Sequence, residues 1–169
     1  MPATTRTIFL ISSRSSSAQR AHFAIFVPTA TDTENGTLIQ ATGAPMVGYF
    51  LEFKRNYSPT DSEEKFTVFP IGEVDDEKIV DPAPGGKYSD STPKGMLEVA
   101  ATEIPTPGIS ENFLAPVNDM SNKRCQEWTM EYVRHLVNKK IIGSDAIQAV
   151  QSKRDPPSHG VGLQATTLR

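Results

Sequence analysis

Five short apolar stretches before residue 72 predict β-strands, several of them alternating with the period of two that puts successive side chains on opposite faces. Thr5 to Ser12 sets Arg6, Ile8 and Leu10 against Thr7, Phe9 and Ile11. Ala21 to Val27 places His22, Ala24 and Phe26 on one face and Phe23, Ile25 and Val27 on the other, and Pro28 ends it. Thr37 to Thr42 is stopped by Gly43, and the polar segment 28–36 makes it the second arm of a long-looped antiparallel hairpin. Met46 to Phe53 and Phe66 to Ile71 complete the set, separated by the turn-rich Asn56 to Glu64.

The period then changes to that of a helix. From Asn122, a predicted N-cap, through Lys140 to a stop at Gly143, an advance of about 100° per residue puts Cys125, Trp128, Thr129, Tyr132, Val133 and Leu136 on one arc. Glu127, Glu131, Arg134 and Asn138 fall opposite. Ser144 is placed to cap a last helix ending near Lys153, and Leu97 to Ala101 predicts a short one. Glu73 to Lys78 reads as a solvated acidic edge. Asp81 to Lys94, with three prolines and two glycines, reads as a long loop of the kind that serves as a lid, and Ile104 to Pro116 also has loop composition. The expectation is one α+β domain over residues 1–155 and an irregular tail over 156–169.

Length and charge narrow the function. A chain of 169 residues is long enough for one core without metals or crosslinks. Seventeen basic and twenty acidic residues give a net charge of −3, which removes the footprint of a nucleic-acid binder. No apolar run approaches the roughly 20 residues of a membrane span, and Ile8 to Ile11 is too short for a signal-peptide core. The expected location is cytoplasmic. Gly85-Gly86-Lys87 lacks the spacing of a phosphate loop. One cysteine and three dispersed histidines predict neither a disulfide nor a metal cluster, and no cofactor is expected.

The chemistry therefore rests on Cys125. Its position alone is that of a small apolar core residue. The first turn of a helix is also where free N–H groups and the dipole stabilise a thiolate, with Lys123 and Arg124 adding positive charge. A partner histidine would make it a nucleophile. His22 is the candidate, with Gln40 beside it if the hairpin register has the right parity. The same two residues also fit a polar pair on an exposed hairpin face. His135 falls at the edge of the polar arc, suited to compensating the helix dipole, and His159 lies in a loop-like segment of unassigned role.

A strand beginning His22-Phe-Ala-Ile-Phe-Val27, a second strand with a polar residue at position 40, and Cys125-Gln-Glu-Trp128 opening a helix resemble the circularly permuted papain-like thiol hydrolases. That superfamily includes lecithin:retinol acyltransferase-like proteins, NlpC-type peptidases and PPPDE deubiquitinase-like peptidases. The order of histidine strand before cysteine helix is that of its permuted members. Gly36-Thr-Leu-Ile-Gln40, Arg55-Asn-Tyr57 and Cys125-Gln-Glu-Trp128 are similar to an uncharacterised fungal branch over residues 5 to 150. The resemblance implies a permuted papain-like fold with an antiparallel sheet packed on the cysteine helix. It also implies Cys125 as nucleophile, His22 as general base and residue 40 as the orienting group. Gln40 stands where the branch has histidine; it accepts a hydrogen bond from imidazole but adds no charge.

Two function classes follow, with a third alongside. A cysteine-dependent hydrolase or acyltransferase would act on a small acyl or peptide-like substrate through an acyl-enzyme. A binding or scaffold module would keep the fold without the chemistry, and a redox-responsive thiol protein would use Cys125 alone.

Overall fold

The computed structural model describes residues 4–62, 65–110, 112 and 114–160. Four consecutive strands, β1 (Thr5–Arg14), β2 (His22–Pro28), β3 (Gly36–Ala44) and β4 (Gly48–Tyr57), run up and down as antiparallel neighbours. β5 (Lys65–Asp75) returns to the free edge of β1, and β6 (Tyr88–Asp90) adds to β4. The sheet order is β5-β1-β2-β3-β4-β6. Among the described residues three α-helices follow: α1 (Gly95–Thr102), α2 (Cys125–Asn138) and α3 (Asp145–Gln151).

Strand alternation decides where the helices pack. Leu10, Ile25, Ile39 and Phe53 occupy one row across β1 to β4 and share a face. Trp128, Tyr132, Val133 and Leu136 of α2, with Leu97 and Ala100 of α1 and Ala146 and Val150 of α3, bury that face in one core. The intervening residues Ile11, Ala24, Phe26 and Leu38 form a smaller cluster on the opposite face. The chain is of the α+β class. Among the described residues no helix is long and apolar enough to cross a membrane.

Several boundaries differ from the sequence expectation, for physical reasons. β1 runs on to Arg14 and β5 to Asp75 because the two pair along their whole length, from Thr5 opposite Asp75 to Arg14 opposite Lys65. The backbone ladder, which shifts register once between Ile8 and Phe9, thus absorbs the acidic Glu73-Val74-Asp75, and Arg6 draws in Asp76 and Asp81 beyond it. β4 starts at Gly48 and continues through Arg55 to Tyr57.

The segment 81–94 is not a free lid. β6 interrupts it, and the fully buried Arg55 holds it through Asp90 (2.9 Å), the Thr92 carbonyl (2.9 Å) and Glu98 of α1 (2.7 Å). Asn56, at a positive φ of 54°, donates to the carbonyls of Ala83 and Gly86, both at 3.1 Å. The Arg55-Asn-Tyr57 stretch is therefore a fastening for this segment. Ser144 stands at the start of α3, but its hydroxyl makes no capping bond. After Asp155 the chain is irregular through Gly160 yet fastened, with Arg20 on the Pro156 carbonyl (2.8 Å) and Val117 N–H on that of Pro157 (2.9 Å). The rest of the expected tail, 161–169, lies outside the described residues.

Candidate active site

The β2–β3 ladder ends at the Ile25–Ile39 pair, so the two strands are no longer tied together at His22. The N-terminus of α2 comes down at that place. Cys125 is its first residue, and the Sγ atom lies 3.8 Å from the Ala21 carbonyl oxygen. The Phe23 N–H and the His22 imidazole both hydrogen-bond the sulfur. His22 and Gln40 have the same parity about the 25–39 pairing and therefore share a face. His22 Nε2 and Gln40 Oε1 are 2.6 Å apart. The structure thus brings Cys125, His22 and Gln40 into one hydrogen-bonded chain.

A fourth residue extends it. Gln40 Nε2 donates to Glu52 Oε1 at 2.6 Å, because Glu52 is the cross-strand partner of Gln40 on β4. A carboxylate only accepts, so it holds the NH2 end of the amide and turns the carbonyl oxygen to His22. Nε2 of the imidazole must then carry a proton, and Nδ1 is left for the sulfur. Glu52 has no signal in the sequence beyond its place in the strand. Only the 40–52 register reveals it.

The electrostatics favour thiolate. Burial pushes the Cys125 pKa up. The neighbouring charge of His22, its hydrogen bond and that of the Phe23 N–H pull it down, Glu127 opposes them, and the net direction is below an ordinary thiol. The guanidinium of Arg124 is itself buried, which lowers its pKa, and it sits in the field of both Tyr49 and Cys125.

Each residue after the cysteine has a task. Gln126 donates to the Ala21 carbonyl (3.0 Å) and to Asp155 (2.8 Å), and Asp155 in turn accepts the Ala21 N–H at 2.8 Å. The residue touching the sulfur is therefore clamped from both sides. Glu127 was expected on the solvated arc but is fully buried: it accepts the Arg124 N–H (2.9 Å) at the helix start and receives Arg20 (3.0 Å) and Arg154 (2.9 Å). Two arginines remote in sequence explain why periodicity alone misplaced it. Trp128 donates to the Ile104 carbonyl (3.1 Å) and stacks on Tyr132.

Asn122 is not the N-cap; Arg124 occupies that position. The Asn122 amide instead organises the preceding loop, donating to the carbonyls of Ala115 (3.0 Å) and Pro116 (2.9 Å) while its oxygen accepts the Ser110 hydroxyl (2.7 Å). Lys123 pairs with Glu131 along the helix. His135 bonds Glu103 at 2.9 Å and His159 lies 3.5 Å from an Arg14 nitrogen. No group of three or more histidine, cysteine or acidic side chains able to hold a metal occurs among the described residues.

The fold and site define an α+β protein whose cysteine helix meets a histidine strand at the open end of an antiparallel sheet. The chain belongs to a family of unknown function, DUF6540, which matches residues 8–143. No curated protein and no solved structure matches it.

Proposed function

We propose that the protein is a cysteine-dependent acyl hydrolase or acyl transferase on a permuted papain-like fold. The observation that carries this reading is the His22 imidazole, hydrogen-bonded to the Cys125 sulfur and 2.6 Å from the Gln40 carbonyl oxygen. The thiolate attacks an amide or (thio)ester carbonyl. His22, protonated and oriented by Gln40, delivers its proton to the leaving group. It then takes a proton from water or an amine, which displaces the acyl group from sulfur. The free N–H groups at the start of α2 face the developing oxyanion. A nucleophile of this type fits a cytoplasmic compartment, where thiols stay reduced.

Covalent trapping tests the reading. Incubation with p-nitrophenyl acetate should add one acetyl group to Cys125, seen by intact mass and peptide mapping, and His22→Ala should abolish it. A wild-type chain that alkylates with iodoacetamide but never acylates would instead be a redox thiol. One that does neither would be a binding module.

A further inference from the structure

We propose that Tyr49 is a catalytic residue that donates its phenolic hydrogen to the oxyanion formed at Cys125, opposite the backbone N–H groups of α2. The inference rests on the acyl-transfer reading and adds a residue to it.

The placement follows from strand register. Ile39 pairs with Phe53, Ala41 with Leu51 and Gly43 with Tyr49, so Tyr49 shares the face that α2 covers and packs against the main core. β2 and β4 are both antiparallel to β3, so Tyr49 near the start of β4 and His22 at the start of β2 lie at the same end of the sheet, where the Ala21 carbonyl lies 3.8 Å from the sulfur. Two strand spacings, roughly 10 Å, separate β4 from β2. Gly43, the cross-strand partner of Tyr49 on β3, has no side chain. A Cβ on Gly43 would stand 2.1 Å from the Gly48 carbonyl oxygen, so this position excludes any larger residue and sets no side chain beside Tyr49.

The ring's base is fixed. Tyr49 N–H donates to the Pro107 carbonyl (2.8 Å), and Ser110 N–H to that of Pro45 (2.7 Å), tying the β3–β4 turn to the loop that precedes α2. The phenol lies in the field of Cys125, Arg124, Glu127 and Arg20. Burial first, and then the charge of Cys125, raise its pKa, which keeps the hydroxyl protonated as a donor requires.

In the reaction the thiolate forms the C–S bond and the carbonyl π pair moves onto oxygen. That oxygen accepts hydrogen bonds from Tyr49 Oη and the helix N–H groups without proton transfer. Collapse restores C=O, breaks the bond to the leaving group and takes the proton from His22.

Carbonyl attack needs an oxyanion site, whereas displacement of iodide from iodoacetamide does not. The two probes therefore separate Tyr49 from the rest of the machinery. Tyr49→Phe should slow acetylation of Cys125 by p-nitrophenyl acetate by about 100-fold, the loss expected of one oxyanion donor. Iodoacetamide alkylation of the same variant should stay within about twofold, which also shows that the site has folded. Equal losses with both probes, or unchanged acetylation, would overturn the role of Tyr49 while leaving acyl transfer standing. A wild-type chain that alkylates but does not acetylate would overturn both.

Discussion

Gln40 faces His22 with its carbonyl oxygen, 2.6 Å from Nε2, and it does so because Glu52 holds the other end of the amide at 2.6 Å. An amide in the place of a charged group therefore still fixes the tautomer, with a carboxylate one residue further out. Replacing Gln40 with leucine should lower the iodoacetamide rate at neutral pH by about tenfold, equivalent to a hydrogen bond to a charged group worth about 1.4 kcal/mol. Gln40→His should preserve or raise the rate, since a second imidazole reaches both neighbours. Glu52→Gln keeps an acceptor and should lose less than Glu52→Leu. Equal rates in all four variants would show that the amide orients nothing.

The ionisation of Cys125 gives a second expectation. Burial works against thiolate and His22 with the Phe23 N–H works for it, the latter prevailing. The alkylation rate should level off below the ordinary thiol value of about 8.5 as pH rises. His22→Ala removes the opposing charge and leaves the burial, so the plateau should move upward. His135→Ala should not move it, because that ring is engaged with Glu103. A wild-type rate still climbing past about pH 9 would identify an ordinary buried cysteine.

Arg55 is fully buried among Asp90, Glu98 and the Thr92 carbonyl, with its guanidinium 4.8 Å from the Phe53 ring centre. Truncation leaves the Glu98 carboxylate buried without its cation. Arg55→Met should cost about 3–5 kcal/mol in urea unfolding, the scale of a broken buried pair. Adding Glu98→Leu should recover much of it, since an apolar pair of similar volume needs no compensation. A single-variant loss under about 1 kcal/mol would place the cluster with surface ion pairs.

The strands were legible because alternation is local. Leu10, Ile25 and Ile39 announce a buried row without any knowledge of partners, and the cysteine helix shows itself by its apolar arc. What failed to show depends on pairing between distant segments. β5 reaches Asp75 only because β1 offers ten residues to pair with, and Glu127 is buried only because Arg20 and Arg154 arrive from both ends of the chain. In the site, Cys125 and His22 stand out by chemical type. Glu52 and Tyr49 are ordinary strand residues until the register sets one opposite Gln40 and the other opposite Gly43.

Asp155 closes the clamp behind the sulfur and gives the last expectation. Burial would raise its pKa, but the Ala21 N–H, the Gln126 amide and Arg14 together hold it below the usual carboxylate value. A carboxyl depressed in the folded state binds a proton more readily when unfolded. Its contribution to stability is therefore present above the unfolded value of about 3.9 and is lost as pH falls through the folded one. Asp155→Asn should lower the urea midpoint at pH 7, flatten the acid limb, and bring the two proteins together at low pH. Because Ala21 both takes the Asp155 bond and borders the sulfur, the same variant should slow alkylation at pH 7. Parallel midpoint curves, offset by the same amount at every pH, would mean that Asp155 acts by shape and not by charge.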